Sequence, residues 1–338
     1  MSQSRKYKTL RFATVTVLLV VLIVVLFFIT LGTGVVSISP LGVLKTIIGQ
    51  GTDRQELVLL DFRLPRIVLA LLVGAGLAVS GAILQGVTQN ELAEPGILGI
   101  NTGAGFAVVL FIFFVQDSLN GTLSVFIIPL FALLGALVAA FLVYTLAWKN
   151  GVNPIRLVLV GIGINAGFSA ALIILQLKMN PENFRQVTVW LSGDIWSASW
   201  PFVMSLLPWM VILIPFALVK ANALNVLHLG DDVAAGLGSK VEGDRLVLLL
   251  TAVALAGASV AAGGAIAFLG LVVPHLARKL IGPMHQYTIP VSALIGALLL
   301  MAADMIGKNL LAPMEIPVGV VVSILSAPYF IYLLIKTN

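Results

Sequence analysis

Nine stretches of 20 or more residues contain no Asp, Glu, Lys or Arg, and this spacing of charge constrains the fold more than any motif does. They run Phe12 to Leu44, Ile67 to Asn90, Pro95 to Gln116, Ser118 to Trp148, Leu157 to Leu177, Ile195 to Val219, Leu246 to Ala277, Leu280 to Ala303 and Ile316 to Ile335. A helix needs about 20 mostly apolar residues to cross a hydrocarbon core, so each stretch is long enough to span a bilayer. Only 10% of the 338 residues are charged and 60% are apolar, whereas a soluble domain carries about 25% charge. That balance excludes a water-soluble globule, a disordered chain and a nucleic-acid binder. A net charge of +5 is small for this length, and the basic residues read better as topology markers. The absence of cysteine excludes disulfides, thiolate metal sites and cysteine nucleophiles. The chain is therefore expected to be an all-α, polytopic membrane protein.

The first stretch exceeds the apolar core of a cleaved signal peptide and no A-x-A site follows it, so it is expected to stay as a helix. Leu246 to Ala277 is harder to place. Its 32 residues would span about 48 Å as one helix, too long for one crossing, and Gly257, Gly263, Gly264, Gly270 and Pro274 interrupt it. A tight helical hairpin that crosses twice is the expectation, and the basic residues favour it. With Arg5, Lys6, Lys8 and Arg11 on the inner side, two crossings place 12 basic residues inside and 7 outside. One crossing would give 10 and 9. The reading is thus about ten transmembrane helices with both termini cytoplasmic.

No stretch of composition suggests a separate soluble domain, so residues 1–338 are read as one transmembrane domain. Two loops are long. The outer one, Lys178 to Asp194, holds Arg185 and Trp190, with Trp196 and Trp200 close by, and reads as an aromatic belt at the interface. The inner one covers residues 220–245. The small-residue run of Leu72 to Gly86 is echoed in Ala254 to Gly270. Inverted repeats produce such echoes, and so does close packing of helices.

Ion-coupled transporters usually keep an ionisable group at membrane depth. The nine stretches hold no carboxylate, Lys or Arg, and His275 is the one ionisable side chain well inside them, close to Arg278 and Lys279. An ion-coupled secondary transporter is the alternative from another class, and these missing charges argue against it. The sequence has no phosphate-cradling G-x-x-x-x-G-K-[ST], no H-E-x-x-H and no G-x-S-x-G, so no catalytic residue, resident metal or cofactor is expected. A transport path without an engine of its own needs an external one. The polar residues within spans are neutral. Asn165, Ser169 and Gln176 fall on one helical face, and Ser80 and Gln85 interrupt the second span. Such side chains either bind helices together at roughly 0.6 kcal/mol each or line a watery path.

Several motifs resemble one family. Arg63-Leu64-Pro65-Arg66 opens a Gly/Ala-rich span that continues through Gly74-Ala75-Gly76, Ser80-Gly81-Ala82 and Gln85 to Asn90-Glu91-Leu92-Ala93-Glu94-Pro95-Gly96-Ile97-Leu98-Gly99. Further on stand Leu229-Gly230-Asp231-Asp232-Val233-Ala234-Ala235-Gly236-Leu237-Gly238, and then Gly264-Ala265-Ile266-Ala267-Phe268-Leu269-Gly270-Leu271-Val272-Val273-Pro274-His275. The tail carries Ala303-Asp304, Glu315-Ile316-Pro317-Val318-Gly319 and Ala327-Pro328-Tyr329-Phe330. Together these resemble the FecCD family of ABC-importer permeases over nearly the whole chain after Phe62. Two departures are Glu91, where Pro is usual, and Ser326, where Gly is usual.

The resemblance implies a type II ABC importer permease fold in a bacterial cytoplasmic membrane, with subunits working in pairs, as homodimer or heterodimer. It implies import of an iron(III)-siderophore, or alternatively cobalamin or haem. An extracytoplasmic substrate-binding protein would deliver the solute and two ATP-binding subunits would drive the cycle. It also gives roles to residues. Arg63, Arg66 and Lys308 would dock carboxylates of the binding protein, although at Lys308, where relatives commonly have Arg, charge is kept and bidentate geometry is not. Leu229, Gly230, Asp231, Asp232, Ala235, Leu237 and Gly238 would form the helix that couples to the ATPase, the two aspartates suiting a helix N-terminus. Asn153 and Arg156 correspond by position to a cytoplasmic gate, and Gln85, Asn165, Ser169 and Gln176 are pathway candidates.

Overall fold

A computed structural model describes residues 2–34, 36–115, 121–149, 151, 154–195 and 198–336. Fifteen helices account for most of them: α1 (Ser2–Gly32), α2 (Pro40–Ile47), α3 (Asp53–Glu56), α4 (Leu64–Thr88), α5 (Ile100–Phe114), α6 (Gly121–Ala147), α7 (Pro154–Gln176), α8 (Pro181–Leu191), α9 (Trp200–Val219), α10 (Ala221–Leu227), α11 (Asp231–Gly236), α12 (Val241–Gly263), α13 (Leu269–Ile281), α14 (His285–Leu310) and α15 (Val318–Lys336). Among the described residues, seven helical runs are long and apolar enough to cross a membrane, and α5 and the 318–332 part of α15 are shorter apolar helices. α13, which follows α12, is shorter and carries Arg278 and Lys279 in its last turn. The fold is an all-α, multi-pass membrane protein.

The first apolar stretch does not form one helix to Leu44. α1 stops at Gly32, and after the break Ser39 caps a separate short helix, its hydroxyl accepting the Gly42 N–H at 3.2 Å, with Pro40 at the first helical position. The chain then reaches α4 through α3 and a π-helical segment, Leu57–Arg63, making one continuous run from Asp53 to Thr88. Pro65 supplies a reason for the wider turn. It has no N–H to give and its ring crowds the carbonyl four residues back; the N–H of Leu64 instead reaches the carbonyl of Leu59.

α4 is the axle of the bundle. From Ala78 to Thr88 every residue is buried, and α7, α9, α10, α12, α13 and α14 all pack on it. A helix buried on all sides has no polar face, and the few polar side chains within this stretch, Ser80, Gln85 and Thr88, each hydrogen-bond to a backbone carbonyl. Its glycines set how closely the neighbours approach. A Cβ at Gly74 would strike the backbone of Gly296 in α14, and one at Gly81 would strike Gly270 in α13. The two small-residue runs noted in the sequence therefore meet as packing faces. Gly76 lies against Ser259, and the Ser80 hydroxyl donates to Ala252 O at 2.7 Å.

Leu246 to Ala277 does turn back on itself, but unequally. α12 has 23 residues, whereas α13 has 13, or about 20 Å of rise. The returning arm is too short for a full crossing, so the turn at 264–268 sits within the bundle, with Gly263 against Val73 of α4 and Gly270 against Gly81. Two left-handed residues, Gly264 and Phe268, reverse the chain. Non-helical backbone at this depth has to be served by protein. Gln85 donates to Gly270 O and Leu271 O at 3.3 and 3.1 Å, Asn101 donates to Ile266 O at 3.2 Å, and the Glu94 carboxylate accepts the Phe268 N–H at 3.0 Å.

The charges flank the nine uncharged stretches rather than interrupt them. α4 and α14 extend past their uncharged stretches and take Arg66 and Asp304 inside, where the two pair, and the loop after α4 folds Glu94 into the interior. Uncharged length marks a span's centre but misses charges that are neutralised by a partner.

Candidate functional site

At one end of the bundle the start of α4 meets the last turns of α14, and the three predicted basic residues gather there. Arg66 is held twice. Its Nε and Nη2 fork onto Asp304 at 2.9 and 2.8 Å, and its Nη1 reaches Glu315 Oε2 at 2.8 Å. Arg63 is buried, giving Nη1 to Leu31 O at 2.5 Å and Nη2 to Val36 O. The Lys308 ammonium lies 3.4 Å from Thr33 O. The head groups of Arg63 and Lys308 converge around Gly34, whose φ of +137° lets the backbone pass between them. Three cations thus face two carboxylates. Arg66 is matched, while Arg63 and Lys308 rest on backbone carbonyls. Asp304 and Glu315, which complete the cluster, were visible in the sequence only as motif letters.

At the opposite end, α10 and α11 form a compact platform. The carbonyl of Leu227 accepts from Gln89 at 3.0 Å, and Asn225 binds the N–H and Nδ1 of His285 at 2.9 and 2.8 Å while donating to Gln286. The platform is therefore fixed to the end of α4 and the start of α14. Gly230, at φ +100°, admits the chain to α11, and Gly238, at φ +83°, releases it. Asp231 and Asp232 occupy the first turn. Asp231 is pinned by Arg245 of α12 at 2.5 Å, and Arg245 is itself buried and also bound to Glu242 at 3.2 Å. Leu229, Val233 and Leu237 stand 59%, 50% and 63% exposed. Val233 lies in α11, Leu229 precedes it and Leu237 follows it, so three exposed apolar side chains run along the short helix and its two ends. Ala235 and Asp232 are exposed beside them. Val233 and Arg245 were missed as site residues. The four-residue spacing could have found Val233, but nothing in the sequence joins Arg245 to Asp231.

The pathway candidates separate. Gln85 is buried between α4 and α13 and spends its amide on the broken backbone described above. Asn165, Ser169 and Gln176 share a half-buried flank of α7, where Asn165 lies against Gly99. Arg156 is half-buried at the first turn of that helix, and Asn153 lies outside the described residues. The other flank of α7 is bare: a Cβ at Gly163 or Gly167 would meet nothing within 4 Å, and Leu159, Ile162, Ile173 and Ile174 are exposed. A crevice of about 460 Å³ among α5, α6, α7 and α12, lined by Leu98, Phe141, Leu157 and Val253 among others, touches none of these candidates.

Comparison with known proteins places this arrangement. The chain is 59% identical to the iron(3+)-hydroxamate import system permease protein FhuG of Bacillus subtilis (strain 168), over 98% of this chain and all of that one. It is 40% identical to the hemin transport system permease protein HmuU of Yersinia pestis, over 94% of each. Its fold superposes on the solved inward-facing structure of a metal-chelate type ABC transporter with a TM-score of 0.85 and 30% identity, over 96% of this chain and 99% of that one. The FecCD transport family profile matches residues 22–336. On sequence, fold and the full span of both, the chain belongs to the FecCD transport family.

Proposed function

We propose that this chain is the permease subunit of an ABC importer that carries an iron(III)-siderophore, of the hydroxamate type in the first instance, across the cytoplasmic membrane. The observation that carries the substrate reading is the end-to-end 59% identity to a hydroxamate permease, well above the 40% to a hemin permease. The geometry supports the partners. The Arg63, Arg66 and Lys308 cluster is the docking face for carboxylates of a substrate-binding protein, with Arg66 bracing the helix ends and Arg63 and Lys308 carrying the net charge. Leu229, Val233 and Leu237 are the contact with the ATP-binding subunit. The bare flank of α7 receives a second permease, with Gly163 and Gly167 as the point of close approach and the exposed Leu and Ile side chains around them. Residues 1–338 act as one transmembrane domain with 220–245 as its coupling region, and both termini are cytoplasmic.

The test is uptake by cells lacking this chain, with and without its restoration, of radiolabelled iron on hydroxamate and catecholate siderophores, of haem and of cobalamin. Loss confined to ferric hydroxamates supports the reading. Loss confined to haem or cobalamin would leave the permease role standing and overturn the cargo.

A further inference from the structure

The turn between α12 and α13 is served by three buried side chains, and their hydrogen-bond inventory does not balance. Asn101 gives its amide N–H to Ile266 O, which leaves its own Oδ1 buried without a donor. Gln85 gives its amide to Gly270 O and Leu271 O, which leaves its Oε1 in the same position. Flipping either amide would return the backbone carbonyls to that state. Glu94 receives one N–H, from Phe268. Its Oε1 and the Asn101 amide both crowd the same side of Gly96, at 3.3 and 3.5 Å from where a Cβ would stand. Among the described residues, the one hydrogen bond to the oxygens of these three side chains is thus the Phe268 N–H to Glu94, and Asn101 Oδ1 and Gln85 Oε1 are left as orphan acceptors.

No cation supplies the difference. Glu91 of the same loop pairs with His275 and Arg278 of α13 at 3.4 and 3.5 Å, Lys279 of α13 lies over the Tyr329 and Tyr332 rings, and Glu242, Asp244 and Arg245 stand at the start of α12, where Arg245 holds Asp231. Neither α4 nor α5 turns a charged side chain toward Glu94, and Phe330 of α15 meets Phe268 with its ring. A buried carboxylate with a single donor is poorly served when ionised, and one that holds a proton becomes a donor itself. In this loop, outside the spanning helices, burial pushes the Glu94 carboxyl up to about 7, with the Phe268 N–H pulling the other way.

We propose that Glu94 binds a proton in this structure and, by holding and releasing it, positions the break between α12 and α13 during the transport cycle. Protonated, Glu94 can give its O–H to a neighbouring orphan oxygen and keep the turn closed around Phe268. Ionised, it demands donors that the closed pocket does not have, and the turn opens toward water. α12 begins at the platform that holds the ATPase contact, and α13 packs on α4, so the turn is the joint between the two.

The inference rests on the importer reading for its place in a cycle, but its first test does not. Infrared spectra of the purified permease, recorded from pH 5 to 9, should show a protonated carboxyl band that is lost near neutrality and is missing in Glu94→Gln. A band unaffected by that substitution would overturn the proposal while leaving the importer reading untouched. The second test uses the assembled importer in proteoliposomes. Turnover of the parent should change severalfold across neutral pH, Glu94→Asp should retain a titration, and Glu94→Gln should transport with a flattened profile. Identical profiles for Glu94→Gln and the parent would sink the cycle role. If Glu94→Ala fails to fold, the Gln variant, which keeps an acceptor for Phe268 N–H, still decides.

Discussion

Asp304 and Glu315 touch the same guanidinium, yet they are not equivalent. The Asp304 side chain is 3% exposed and takes both forks of Arg66, whereas Glu315 is 27% exposed and takes one nitrogen. Removing one partner of a buried pair leaves an uncompensated charge and costs about 3–5 kcal/mol; a partly exposed pair contributes about 0–1 kcal/mol. Asp304→Ala should therefore abolish a monodisperse peak in detergent size-exclusion or lower Tm by many degrees, while Glu315→Ala should leave both nearly unchanged. Glu94 makes a prediction with a sign. Its carboxyl is raised from 4.5 to about 7 in the fold, so the folded state holds a proton that the unfolded chain has lost. Stability is then full below about pH 4.5 and declines as pH rises through 7. Tm in detergent should fall over that window, and Glu94→Gln should remove that part of the fall. Neither residue could be valued from sequence. Asp304 follows directly on an uncharged stretch, and its partner lies 238 residues away. Glu94 looks like an exposed loop carboxylate until Phe268, 174 residues on, is brought to it.

Among the elements, α11 has the clearest assignment. Leu229, Val233 and Leu237, on and beside it, are exposed, while Asp231 is locked to Arg245, so these side chains can change without loosening the base. Leu237→Asp with Val233→Asp should cut co-purification of the ATP-binding subunit by tenfold or more and leave the permease Tm within about a degree or two. Arg245→Ala should do both kinds of damage, because it strands Asp231 and removes a buried side chain. Element identity was largely legible in the sequence, because uncharged length of about 20 residues is set directly by bilayer thickness. Element ends were not. α1 stops at Gly32, α13 is only 13 residues long, and a π-helical turn precedes Pro65. Each depends on a local backbone demand, or on a partner from far along the chain, that hydropathy does not report.

For the molecule as a whole, the proposed function gives the two ends of α4 different work and the flank of α7 a third. Arg63→Glu with Lys308→Glu should abolish binding-protein association measured by surface plasmon resonance on the solubilised importer. Unchanged affinity would remove the docking assignment. Gly163→Leu with Gly167→Leu adds bulk where nothing lies within 4 Å, so the single subunit should fold normally while pairing with the second permease is lost in native mass spectrometry. The order in which the chain is made adds a consequence of the buried axle. α4 is synthesised early, but its Ser80, Gln85 and Arg66 wait 172, 185 and 238 residues for Ala252, Gly270 and Asp304. At about 5–20 residues per second, Arg66 stands without its carboxylate for roughly 10–50 s. During biogenesis, then, the most enclosed helix of the finished protein first faces lipid or the insertion machinery, with its polar groups still unclaimed.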